Sequence, residues 1–369
     1  MNHASIRVPK AGGNQHSVYL DLLRALAAFF VIVNHTNSRI FLMAEPTQLT
    51  WTVSVLWYYL SKIAVPLFVM ISGACLLGKV DGYRKTARRF GRMLSALLIA
   101  SYGYFLYDAW VNYGLWPRAM DFGAFLSLVW QQKISDSFWY LWFYLGLLIA
   151  LPLLQRMAKS MEKRDILYLM TVSFGLYALW PLVTHYLPAL TPNCYFVVPA
   201  CGIFVGLLFA GRYLHCFTHI TKRGMLCAGV VLVLSLGISL LLTRIEYERV
   251  PYGQTYLFMD DRMSPSLFII ASAMAALVLA RGACMRLDTA TSPSAAHLRA
   301  VITELGGCAF GVFLLQDLFI KLTKEWIFVP LYGPMPAMAA VLVWEVVIYI
   351  VAIGLTWALR KVPGIKKLL

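Results

Sequence analysis

Residues 21–35 read DLLRALAAFFVIVNH. The run is apolar and helix-like, with Asp21 and Arg24 near its start and His35 near its end. An ionisable side chain at membrane depth costs roughly 2.5–3.5 kcal/mol on insertion scales and is a functional candidate by default. The stretch therefore bears on both fold and function.

The surrounding composition settles the setting. The chain has 369 residues, 60% of them hydrophobic and 13% charged, with a mean hydropathy of +0.70. Soluble domains carry roughly a quarter charged residues. A lipid-embedded backbone must satisfy its own hydrogen bonds, so the expected fold is all-α, a polytopic membrane protein of about ten transmembrane helices. A span takes about 20 apolar residues. Candidates lie near 18–38, 52–77, 93–113, 137–155, 166–187, 196–211, 224–243, 264–280, 301–321 and 336–359. The shortest, 196–211, follows Pro199 closely.

Lys and Arg fix the orientation. Of the 32, the N-terminal tail, 78–92, 156–165, 212–223, 281–300 and the C-terminal tail hold 22, and the alternate loops hold seven. Arg24, Lys62 and Lys321 are intramembrane. The skew puts both termini in the cytoplasm. It also explains the net charge of +15 without a nucleic-acid partner. The expected organisation is a cytoplasmic tail (1–17), one membrane domain (18–360) and a second cytoplasmic tail (361–369). The first span has no small-residue cleavage site after it and reads as retained. Seven scattered cysteines without CxxC spacing indicate neither a metal site nor a disulfide framework. His215 and His219 lack a third ligand, so no metal is expected. The outward loops 114–136 and 244–263 suit either a cover over an outward cleft or interfacial anchoring. TATSPSAA (289–296) reads as a flexible inward linker.

Arg24 and His35 are eleven residues apart, about three turns plus 20°, so they share a helix face about 16 Å apart. Arg24 lies near the cytoplasmic entrance and Asp21, one turn before it, can pair with it. A long ligand entering from the cytoplasm would set anionic groups at Arg24 and its reactive end at His35, whose neutral imidazole suits general-base work. Coenzyme A has that shape. The alternative is that Arg24 snorkels and His35 makes an interhelical hydrogen bond. YRKTARRFGR (83–92) adds Arg88, Arg89 and Arg92 on the same side. The planar arginine fork suits phosphate, although basic inner loops are also an ordinary topology signal.

Arg24 and His35 form an R-x10-H pattern that resembles the acyltransferase type 3 family. VPLFVMISGACLL (65–77), RRFGR (88–92), FWYLWFYLGLLIALPLL (138–154) and ELGGCAFGVFLLQ (304–316) resemble further motifs of that family, in order. Within it the chain is similar to single-domain membrane O-acetyltransferases such as the group acting on enterobacterial common antigen. The resemblance implies a bacterial inner-membrane enzyme that moves an acetyl group from acetyl-CoA to a hydroxyl of an envelope glycan or lipid-linked sugar. It implies His35 as base, Arg24 on the CoA arm, and Arg88, Arg89 and Arg92 on its phosphates. Where the family's late helix usually ends in His, this chain has Gln316, which cannot act as a base.

Lesser substrate candidates are Asn34, Ser72, Tyr140, Trp142, Gln316 and Glu345. Ser72-Gly73 reads first as close helix packing. Glu345 needs a buried partner, for which Lys321 or Lys62 would serve. The competing class is a transporter or flippase of a small acyl or sugar compound, which has no need for a basic cluster beside Arg24.

Overall fold

The computed structural model describes residues 17–45, 47–113, 121–193, 195–249 and 267–368. Among them the regular elements are all helical, and no strand forms. In chain order they are α1 (Val18–Thr36), α2 (Ser38–Phe41), α3 (Leu49–Ser61), α4 (Ala64–Leu76), α5 (Tyr83–Tyr113), α6 (Phe122–Trp130), α7 (Trp139–Ser160), α8 (Lys163–Phe174), α9 (Trp180–Tyr186), α10 (Ile203–Cys216), α11 (Lys222–Arg249), α12 (Leu267–Thr289), α13 (Pro293–Thr323), α14 (Val329–Leu331) and α15 (Ala337–Leu359). Nine helical stretches among the described residues are long and apolar enough to span a membrane. The expected tenth, near 196–211, is the 14-residue α10, displaced toward the C-terminus because Pro199 and Gly202 sit in irregular chain before it. The protein is an all-α, multi-pass membrane protein.

α1 lies at the centre. It is buried along most of its length and packs on α4, α12, α13 and α15. α11 is peripheral and turns Leu226, Val233, Leu234 and Leu241 outward, as a lipid-facing helix does. Asp21 at the start of α1, Gly306 in α13 and Arg360 at the end of α15 meet at one end of the bundle. The first span therefore begins where the last one ends. This end, which carries most of the Lys and Arg, is the basic end of the bundle.

Two contacts set the geometry around α1. A Cβ on Gly306 would lie 2.7 Å from the Asp21 Cα, so α13 approaches α1 as closely as backbones allow. α4 and α10 cross in the same way: a Cβ on Gly73 would meet the Leu208 carbonyl oxygen at 1.8 Å, and one on Gly211 the Met70 carbonyl oxygen at 1.9 Å. Small residues at such crossings let dispersion and backbone contact hold helices together where lipid offers no hydrophobic drive. The Gly73 half of Ser72-Gly73 is thus the packing residue.

The stretch 289–296 is not a flexible linker. Only Ala290, Thr291 and Ser292 separate α12 from α13. The Ser292 hydroxyl accepts from the Ala295 N–H at 3.2 Å and Pro293 occupies the first turn, where its missing N–H costs nothing. Arg299 donates to the Leu287 and Ala290 carbonyls at 2.6 and 2.7 Å. Ser and Pro here start a helix. Parts of the expected outer cover (114–120 and 250–263) and the tail at 1–16 lie outside the described residues.

Gly73→Ala and Gly211→Ala must each force α4 and α10 apart, at about 1–3 kcal/mol for overpacking. Thermal unfolding in detergent should show both variants melting well below wild type. Gly103→Ala, on an open face of α5 with no atom within 4 Å of the new Cβ, should melt at or slightly above it.

Candidate active site

Arg24 is fixed by its neighbours on two helices. One guanidinium nitrogen donates to Asp21 Oδ1 at 2.5 Å and another to Cys75 Sγ of α4 at 3.3 Å. Asp21 is buried and Arg24 is 32% exposed. Its exposed part faces a cavity of about 510 Å³ between α1, α4, α5, α7, α13 and α15.

The cavity has unlike ends. Toward the basic end its walls carry Arg24, Arg92 and Arg360, balanced by Asp21 and Glu304. Arg360 donates to Glu304 at 3.4 Å, and Leu368 lies at the same mouth. Away from the basic end the walls become aromatic, with Phe68, Tyr140 and Phe313. The Tyr140 ring lies 6.0 Å from Phe68 and 5.7 Å from Phe313, centroid to centroid. Between the ends lies Ser72, which donates to the Phe68 carbonyl at 2.9 Å. From Thr303 to Phe313, α13 lines about 15 Å of wall at 1.5 Å per residue.

Arg88, Arg89 and Arg92, expected in an inner loop, lie on the first turns of α5 and have separate surroundings. Arg92 is at the cavity mouth and Arg88 is exposed. Arg89 donates to Asp81 Oδ2 at 2.5 Å, and Lys85 to Oδ1 at 2.6 Å. Gln155 of α7 closes the clamp: its Oε1 accepts from the Asp81 N–H and its Nε2 donates to the Leu76 carbonyl, both at 2.9 Å. Burial alone would raise the Asp81 pKa, but the bonds from Lys85, Gln155 and Arg89 outweigh it and hold the carboxyl at about 2. The clamp ties the α4–α5 turn to α7 and so aims Arg92 at the mouth.

His35 lies in the last turn of α1, partly buried and outside the cavity's walls. Beside it the Asn34 Oδ1 is buried without a hydrogen-bond partner. Glu345 is fully buried nearby. Its carboxylate accepts from the Thr36 hydroxyl at 2.8 Å and the Trp57 indole at 3.1 Å. The expected lysine partners are elsewhere: Lys321 pairs with Asp317 at 3.2 Å, and Lys62 stands 4.6 Å over the Tyr58 ring. Two neutral donors on either side satisfied what sequence reasoning assigned to a cation. Trp142 packs edge-on against Trp130, away from the cavity. Gln316 is fully buried. His215 belongs to α10 rather than a loop, and its Nδ1 lies 2.5 Å from the Tyr19 hydroxyl.

Sequence reasoning missed Cys75, Tyr144, Glu304 and Arg360 as cavity residues, and Thr36 and Trp57 as carboxylate ligands. Only Cys75 left a trace, one turn after Ser72 on α4.

A family model described as an acyltransferase domain matches residues 17–361. The chain belongs to the acyltransferase type 3 family. It is an acyltransferase of the membrane. No curated protein and no solved structure matches it.

Asp81 supplies a pH test of the clamp. A carboxyl held down near pH 2 stabilises the fold fully above its ordinary value near 4, and loses that contribution as pH falls toward 2. Asp81→Asn should therefore lower the detergent melting temperature by the same amount at every pH from 5 to 8. A difference that changes across that range would refute the clamp as described.

Proposed function

We propose that the protein transfers an acetyl group from acetyl-CoA to a hydroxyl of an envelope glycan or lipid-linked sugar, in a bacterial inner membrane. The observation that carries this reading is the cavity, with three arginines at its basic end and an aromatic far end, opening beside the family's arginine. Arg24, Arg92 and Arg360 would meet the anionic part of the donor, with Arg88 at the approach. Arg89 serves mainly by holding the turn.

In the reaction, the acceptor hydroxyl oxygen attacks the thioester carbonyl carbon and its proton passes to His35. The C–S bond then breaks, and the CoA thiolate leaves and takes up a proton. His35 stands about 16 Å beyond Arg24 along α1, which suits an extended arm reaching past the aromatic end. Burying the thioester there strengthens every dipole that meets the developing oxyanion. Glu345 lies one helix away from this centre and orients Thr36 and Trp57 around it. Tyr140 is the aromatic candidate for contact with the arm or the sugar.

Calorimetry on purified protein tests the reading. Wild type should bind acetyl-CoA, Arg24→Ala should bind at least tenfold more weakly, and His35→Ala should bind normally while losing at least a hundredfold in turnover. Folded wild type that binds no acetyl-CoA sinks the acetyl-donor assignment, and other acyl-CoA donors then take its place in the same assay.

A further inference from the structure

Among the described residues, Gln316 is the least satisfied polar side chain in the interior. It is fully buried, and neither its Oε1 nor its Nε2 has a hydrogen-bond partner. An amide left so should cost about 1–3 kcal/mol, so its retention at the core needs a reason.

Its place in the fold supplies one. Gln316 is one turn beyond Phe313 and two turns beyond Ala309, both cavity residues. Seven residues on a helix return to within about 20°, so Gln316 continues the Ala309 face of α13 past the aromatic end. Gly306 sits against Asp21. Carried along the two parallel helices, that register sets Gln316 level with Val31, about 10 Å beyond Arg24 and about 6 Å short of His35. Helical side chains lean back toward their N-terminus, which for α13 is the cavity side. The helix is also opened at this point. The Tyr104 hydroxyl donates to the Leu314 carbonyl at 3.0 Å and accepts from the Leu318 N–H at 2.8 Å. It thus stands inside the ladder on either side of Gln316, an insertion of the kind that bends helices.

We infer that Gln316 recognises the amide of the acyl donor's arm that lies nearest the sulfur. This deepens the proposed function and rests on it. The amide nitrogen of a CoA thioester is four bonds from the reacting carbonyl carbon, about 5 Å when extended. With that carbon at the level of His35, the amide falls at the level of Gln316. A primary amide offers one acceptor and two donors, and because the N–H and C=O of a trans amide point opposite ways, one side chain meets one of them: the Gln316 oxygen takes the arm's N–H. That bond would satisfy the Gln316 Oε1 and the arm's N–H where water is excluded. Gln316 then selects donors that carry an amide at this distance from the sulfur and fixes how deep the thioester sits.

A cycle between side chain and ligand tests this. The probes are acetyl-CoA and its analogue with that amide replaced by an ester, which deletes the N–H. Wild type should bind the analogue about tenfold more weakly than acetyl-CoA. Gln316→Leu should bind acetyl-CoA about tenfold more weakly than wild type and distinguish the two probes by less than twofold. Gln316→Asn, which keeps the amide one methylene shorter, should retain part of the discrimination, and melting temperatures confirm that each variant is folded. If folded Gln316→Leu binds acetyl-CoA as wild type does, or still discriminates tenfold, the inference is wrong while the donor assignment stands. If wild type binds neither probe, the donor assignment fails and takes the inference with it.

Discussion

A guanidinium within a membrane needs a counter-charge, and here Asp21 supplies it from one turn away. The pair is useful only because α13 comes close enough to bury the carboxylate while leaving the arginine reachable, and that closeness depends on Gly306. A side chain at that position would push α13 off α1, admit lipid or water beside Asp21, and remove one wall of the cavity. Much of the architecture at the basic end serves this arrangement. α15 returns to set Arg360 against Glu304, and α4 brings Cys75 to the other side of Arg24. The cost of a buried charge is thus offset locally, and one face remains open for an anion.

The bundle is divided along α1. Its basic end holds charges paired around a space, and the other end holds a carboxylate satisfied by neutral donors. Between them stand rings and one unpaired amide. The proposed coenzyme A donor would match such a layout, since its own polarity runs the same way, from phosphates through an amide-bearing arm to a neutral thioester. The two substrates of an O-acyltransferase arrive with different solubilities, and the proposed centre within the bundle would keep water from competing as the acceptor.

Much of this was legible in the sequence because lipid imposes one-dimensional rules. The skew of Lys and Arg is a count over the loops that needs no contact between helices, and span length and the eleven-residue spacing of Arg24 and His35 are properties of a single helix. So is the Asp21–Arg24 pair, at i and i+3. The sequence was silent where the answer lay across helices. Glu345 looked as if it needed a lysine, because a neutral indole and hydroxyl from two other segments leave no mark near position 345. Arg360 looked like an ordinary basic flank. The Ser-Pro at 292–293 read as linker because the same residues that break chains also begin helices, and only the following turns decide between the two. Gln316 was visible as a departure from the family's pattern, but its unmet hydrogen bonds appear only once α5, α13 and α1 are assembled.

Leu368 lies at the cavity mouth beside Arg360, a short distance after the last span ends. Anything joined to the chain beyond it, whether a natural extension or an affinity tag, is delivered to the doorway rather than to open solvent. An acidic appendage would compete with an incoming anion for the same arginines, and a bulky one would narrow the way in. The C-terminal side of this protein is thus a point from which access can be tuned without altering a single wall residue.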